Sequence, residues 1–275
     1  MTRRAVTLPS WNAVGAGQTA TLDLPVDRRY HAVFIRYLTN SLEPAQTEME
    51  ADITAIRVNI NGKSQRDWRN LNHLNKVLAF NNQDYDPGFI PIYFSEPWRR
   101  SALDEDRLSW GMSNVSTFQI EADIASGATS PALSGFALID NVQEPLSGII
   151  KTRTQTVPVS ATGITTVSTL PKSDSYYRLH AFETTEADIS DVDIEVDQLT
   201  VFDLTNAQVD RLLLSSRLSG QAATFHIPFD ATQRTGDVLP MVKADLTRVA
   251  EFRLDFNMAV AADFTLVSEI LGNPD

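Results

Sequence analysis

Few residues in this 275-residue chain are placed to do chemistry, and those few are scattered. There is no cysteine, which removes disulfides, zinc–thiolate sites and thiol nucleophiles. The four histidines, His31, His73, His180 and His226, show no pair at metal-ligand spacing, whereas a double β-barrel metalloenzyme needs them clustered. His226 lies between Phe225 and Ile227 on an apparent strand, so its ring is expected on the opposite face, toward solvent or an interface. No glycine-rich phosphate loop, nucleophile elbow or His-Glu-x-x-His motif is present. The chain is therefore not read as an enzyme, and no catalytic residue or cofactor-binding site is expected.

One charged element stands out. From Glu183 to Asp197 (ETTEADISDVDIEVD), Asp191, Asp193, Glu195 and Asp197 alternate with Val192, Ile194 and Val196. A strand of period two puts the four carboxylates on one face and the aliphatic side chains in the core. Like charges on one face repel and invite a cation, which leaves three readings: a solvated acidic face, a docking surface for a basic partner, or a calcium ion held by these four residues. The glycine and closing glutamate of an EF-hand loop are missing. The second cluster is Pro97-Trp98-Arg99-Arg100, where Trp98, Arg99 and Arg100 read equally as an interface anchor or as a tryptophan capping the core beneath a loop.

The elements that must carry these residues occur twice. Ile53 to Leu78 is a strand (Ile56, Val58, Ile60), a turn, an aromatic (Trp68) and a helix, and Ile189 to Leu213 repeats that order with Val192, Ile194, Val196 and Phe202. Further landmarks keep an offset of about 135 residues: Ile90–Phe94 with Phe225–Phe229, and Phe118–Ala125 with Phe252–Ala259. Leu24-Pro25 before Tyr30 pairs with Leu170-Pro171 before Tyr176 at a larger offset, because Thr39 to Asp52 forms a longer loop in the first copy. Where the second copy has its acids, the first has Arg57, Asn59 and Asn61. In a ring of identical subunits in which first copy abuts second copy, Arg57 and Asn59 of one subunit are expected to meet Asp193 and Glu195 of the next.

Asn61-Gly62 signals a type I′ hairpin, and Pro91 and Pro228 inside apparent strands argue for edge positions or bulges. Short helices are expected near 103–112 and 237–247, beside the longer ones at 71–80 and about 205–217. The pattern predicts an all-β chain of two tandem eight-stranded jelly-roll sandwiches with short helices inserted in loops. The boundaries read as 1–140 for the first sandwich, 141–159 for linker and lead-in, and 160–275 for the second.

A content of 43% hydrophobic and 21% charged residues is ordinary for a globular protein. No apolar run approaches the ~20 residues needed to span a bilayer, and Met1-Thr2-Arg3-Arg4-Ala5 lacks a signal-peptide core, so neither a membrane span nor classical secretion is expected. The net charge is −12, divided as −3 over residues 1–140 (13 basic, 16 acidic) and −9 over 141–275 (10 basic, 19 acidic). Such a chain repels a polyanion, so direct contact with nucleic acid is not expected.

The tandem arrangement, with a helix after the fourth or so strand, no cysteine and no active-site signature, resembles the double jelly-roll major capsid proteins of tailless, membrane-containing icosahedral phages of the corticovirus type. Residues 8–38 (LPSWNAVGAGQTATLDLPVDRRYHAVFIRYL), 53–63 (ITAIRVNINGK) before a Leu-rich helix, 116–125 (STFQIEADIA) and 132–139 (ALSGFALI) are similar to that family's first jelly roll. The resemblance implies a virion capsid protein assembled in the host bacterial cytoplasm. It implies homotrimeric pseudo-hexagonal capsomers tiling a shell over an internal lipid membrane, with penton and minor membrane-associated virion proteins as further partners. It also implies structural calcium, whose ligands no motif identifies. Arg3 and Arg4 are then placed to approach anionic headgroups beneath the shell. The rival reading is a two-domain jelly-roll glycan-binding or glycan-processing protein using Trp98, Trp110 and Tyr85.

Overall fold

The computed structural model describes residues 3–83, 87–99, 105–172, 174–183, 188–230, 238–243 and 245–275. The chain divides into two compact units, one of residues 1–79, 83–152 and 273–275, the other of residues 80–82 and 153–272.

The first unit carries β1 (Arg4–Thr7), β2 (Thr19–Leu24), β3 (Arg29–Leu38), β4 (Ile53–Ile60), β5 (Lys63–Trp68), β6 (Phe89–Tyr93), β7 (Trp110–Gly111), β8 (Phe118–Ile124) and β9 (Ala132–Asp140). Helix α1 (Gln46–Asp52) fills the longer loop before β4, and α2 (Leu71–Phe80) follows β5. One sheet runs β1-β9-β3-β6, with β7 also on β3, and the other β5-β4-β8-β2. The second set is β10 (Ile149–Val157), β11 (Gly163–Val167), β12 (Ser175–Phe182), β13 (Ile189–Val196), β14 (Leu199–Thr205), β15 (Thr224–Ile227), β16 (Phe252–Met258) and β17 (Phe264–Gly272), with helix α3 (Asn206–Ser215) after β14. Its orders are β15-β12-β17-β10 and β11-β16-β13-β14. With β7 set aside and each set of eight counted from its own first strand, both give 1-8-3-6 and 2-7-4-5. This is the jelly-roll order of two Greek keys, and the duplication seen in the sequence is a duplication of topology.

Alternation builds the sandwiches. In β8 and in β16 every second residue is buried (Phe118, Ile120, Ala122, Ile124; Phe252, Leu254, Phe256, Met258) and the residues between them are not. The crossing from the second to the third strand is locked identically in both units. The buried Tyr30 hydroxyl donates to the Pro25 carbonyl at 2.8 Å, and Tyr176 donates to the Pro171 carbonyl. Each ring packs on a repeated phenylalanine, with centroids 5.0 Å apart for Tyr30–Phe118 and 4.8 Å for Tyr176–Phe252. At the β4–β5 turn Asn61 and Gly62 both take positive φ (51° and 77°), as a type I′ hairpin requires. Asn61 also accepts from the amides of Ser116 and Thr117. Pro91 lies on the edge strand β6, and Pro228 immediately follows the edge strand β15.

Several expected elements differ. Of the helix expected at 103–112, residues 105–106 are helical, 107–108 form a turn, and Trp110–Gly111 is strand β7. Near 237–247 the described residues form isolated bridges (Tyr176 with Leu239, Val242 with Arg248) in place of a helix. The stretch 141–159, expected as linker, contains β10. β5 and β14 are strands where only a turn and an aromatic were expected. β5 (KSQRDW) escapes a hydropathy reading because its buried residues include Gln65 and Arg66, and the Arg66 guanidinium finds the carbonyls of Ile150 and Tyr93.

Removing the corner hydroxyls tests the lock. Tyr30→Phe and Tyr176→Phe each leave a proline carbonyl without its donor, and each is expected to lower stability by about 1 kcal/mol. The readout is a lower denaturant midpoint at unchanged m-value; no shift in either variant removes the lock from the account.

Candidate functional site

The outer faces of the two β4-type sheets hold the charged residues singled out in the sequence. In the first unit Arg57, in the middle of β4, stands opposite Glu121 of β8 on one side and Asp67 of β5 on the other. Its guanidinium grips Asp123 with two bonds of 2.7 Å and reaches Glu121 at 2.9 Å. Asp123 is held below the usual carboxylate range, first by that bond and also by one from Thr19. Arg57 is therefore engaged within its own sheet and is not a free cation awaiting an acidic partner. Asn59 sits next along the same face, opposite Ser64 and Gln119.

The corresponding row of the second unit lacks the cation. Asp193, central on β13, stands opposite Asp255 of β16 and Asp203 of β14. Desolvation, followed by a hydrogen bond shared with Asp203 and the charges of Asp203, Asp191 and Asp255, holds Asp193 above the usual carboxylate range. The neighbours along the strand are compensated. Glu195 pairs with Arg253 at 3.0 Å, which also reaches Asp255 at 2.9 Å, and Asp191 accepts from Ser190 and Asn257.

Asp197 leaves this face altogether. It sits in the β13–β14 turn at φ 49°, pairs with Lys243 at 2.5 Å and accepts the amides of Ala250 and Glu251. The expectation of four carboxylates on one strand face is thus corrected to three, because β13 ends at Val196 and Asp197 lies in the turn that follows. Among the described residues no three or more His, Asp or Glu side chains are grouped so as to hold a metal ion. Asp191, Asp193, Glu195 and Asp197 do not fit a calcium site, since two of them already face cations and the four do not converge.

The remaining candidates fall into place as follows. Arg99 is buried and donates to Glu96 at 2.8 Å, and Trp98 is half-buried edge-on to Tyr93 at 5.8 Å, which is the core-capping arrangement. Arg100 and Tyr85 lie outside the described residues, and Trp110 is wholly buried. Arg3 pairs with Glu105 and Asp106, and Arg4 donates to Asn141. A cavity of about 140 Å³ lined by Glu183, Asn206, Asp210 and residues 220–224 contains no aromatic residue, unlike a glycan cleft. His226 is the clearest miss. It is buried, not solvent-facing, and its Nδ1 lies 2.7 Å from Nδ1 of His180. The two are 46 residues apart, and the register of β12 on β15 brings them opposite each other.

Two family models cover the chain: the viral coat protein P2 N-terminal domain over residues 5–143 and the viral coat protein P2 C-terminal domain over residues 149–274. The chain belongs to the viral coat protein P2 family. It is 22% identical to the major capsid protein P2 of Pseudoalteromonas phage PM2 over 98% of this chain and 97% of that protein. The crystal structure of the major capsid protein P2 from Bacteriophage PM2 superposes with a TM-score of 0.87 at 20% identity, covering 100% of this chain and 98% of that one. The STIV MCP has a TM-score of 0.69 at 9% identity (99% and 97% covered), and the PBCV-1 virus capsid 0.65 at 10% identity (98% and 93% covered). These likenesses establish the double jelly-roll fold, and family membership makes this a structural coat protein of a virion, not an enzyme.

For this coat protein the two central rows make opposite predictions. Asp193→Asn removes a like-charge contact between strands and is expected to stabilise by ~0.5 kcal/mol at neutral pH. Arg57→Ala strips two carboxylates of their cation and is expected to destabilise by about 1 kcal/mol. Denaturant midpoints at pH 7 check both signs, and a destabilised Asp193→Asn would show that the acidic row is already compensated.

Proposed function

We propose that this coat protein assembles as a homotrimer whose six jelly rolls form a pseudo-hexagonal capsomer, and that these capsomers tile an icosahedral phage shell over an internal lipid membrane. The observation that carries this reading is the repetition of one topology in both halves of the chain. Three copies of a two-roll chain present six similar edges, and a closed threefold ring satisfies heterologous contacts without leaving one open. The rolls need not be equal, and they are not: the central outer residue is Arg57 in one and Asp193 in the other.

The net charge of −12 suits a shell that lipid separates from the genome, because a polyanion gains nothing from contact with it. In this reading the shell protein lies over the bilayer and leaves spanning to minor virion proteins; among the described residues no helix is long and apolar enough to cross a membrane. Those proteins and a separate penton complete the partner set, and assembly takes place in the cytoplasm of the bacterial host.

Light scattering coupled to size exclusion is expected to give about three times the 30.5 kDa chain mass. Purified particles are expected to contain phospholipid and to fall apart in chloroform. A stable monomer would sink the capsomer reading, and intact lipid-free particles would sink the membrane.

A further inference from the structure

The buried histidine pair of the second unit fills a place that the first unit fills with an aromatic residue and a proline. His180 of β12 and His226 of β15 face each other in register, and the same third-strand to sixth-strand position in the first unit is Phe34 opposite Pro91. There Phe34 stacks on Phe136 at 4.7 Å. The topology accepts an apolar pair at this place, so the polar one is a property of this unit alone.

The hydrogen bonds around the pair assign its protons. The Gln221 amide donates to His226 Nε2 at 3.1 Å, so that nitrogen is an acceptor and Nδ1 of His226 carries the hydrogen. That hydrogen is donated across 2.7 Å to His180 Nδ1. His180 then carries its own hydrogen on Nε2 and donates it to Glu269 Oε2 at 3.1 Å. Both rings are neutral in this chain, and each nitrogen able to take up a proton already receives an N–H.

The charged groups acting on His180 are Glu269 of β17 and Arg178 of β12. Arg178 faces Glu269 at 2.9 Å, so the carboxylate next to the pair is already matched by a cation. Phe80 closes the site with ring centroids 4.5 Å from His226 and 5.2 Å from His180, and Asn81 accepts from Arg178 at 2.7 Å.

We propose that the His180–His226 pair is an acid-sensitive latch: the folded second unit excludes protons from it, and mild acid loosens that unit. Protonating His226 at Nε2 breaks the bond from Gln221, and protonating His180 at Nδ1 breaks the bond between the rings. Burial, ahead of the favourable pull of Glu269, holds His180 below the ordinary histidine range. A lowered folded-state affinity means that the contribution to stability is complete above the unfolded value of about 6.5 and is lost progressively as pH falls below it. Each excluded proton raises the unfolding equilibrium constant by about tenfold per pH unit in that window. The latch belongs to the single chain and stands whether or not the capsomer reading holds.

The test uses the full chain. Denaturant unfolding between pH 7.5 and 5 is compared for the unaltered protein and for His180→Gln/His226→Gln; His31 and His73 are common to both and cancel. The expected result is a flatter profile in the double variant, by about tenfold in the unfolding constant per pH unit per proton. A variant as acid-sensitive as the parent overturns the latch. If the variant does not fold, 15N-histidine NMR of the unaltered protein decides. The latch requires an Nδ1–H ring and an Nε2–H ring that both titrate below the ordinary histidine value of about 6.5 in folded protein, and either one titrating at or above it overturns the latch.

Discussion

The sandwich depends on a buried phenol having to find an acceptor. Between the second and third strands the chain leaves one sheet and enters the other, and a tyrosine at the start of the third strand sits in the core where its hydroxyl cannot stay unpaired without a penalty of about 1–3 kcal/mol. The partner is the carbonyl of the proline five residues earlier, Pro25 for Tyr30 and Pro171 for Tyr176. That bond fixes the angle of the corner, and burial keeps both phenols protonated, and so able to donate, well above the usual tyrosine range. Phe118 and Phe252 then pack on the two rings from the opposite sheet. With the two sheets held face to face in this way, every other strand must turn an apolar face inward.

Where that requirement is met by apolar residues in strict alternation, the fold was legible in the sequence. β4 and β13, β8 and β16, and the two longer helices were readable, and their offset revealed the duplication. The misses have a common physical cause. β5 buries Gln65 and Arg66, β14 is largely exposed, and the buried start of β10 includes Lys151 and Thr152, so none of them alternates in hydropathy. The helix expected over 103–112 rested on acids and an apolar spacing; residues 105–106 are helical, but Trp110 pairs with Tyr30 across strands.

The candidate surfaces were half legible for a related reason. Alternation along one strand correctly turned Asp191, Asp193 and Glu195 outward, but it says nothing of what stands beside them. Asp203 and Asp255 join Asp193, and Glu121 and Asp123 take up Arg57, only through strand pairing between distant segments. Alternation also stops where the strand does, which is how Asp197, in the turn after β13, left the face. The histidine pair was hidden in the same way: the register of β12 on β15 decides that His180 and His226 meet.

Two copies of one topology therefore constrain each other only on their inward faces. Tyrosine, proline and phenylalanine recur there because the corner allows little else. On the outward faces a cation became a carboxylate, and an aromatic–proline pair became two imidazoles. The acidity of the second half, −9 against −3, is felt only at short range, since the screening length is about 8 Å at physiological salt. The difference between the halves can thus act only on groups brought to within a strand or two of the Asp255–Asp193–Asp203 row.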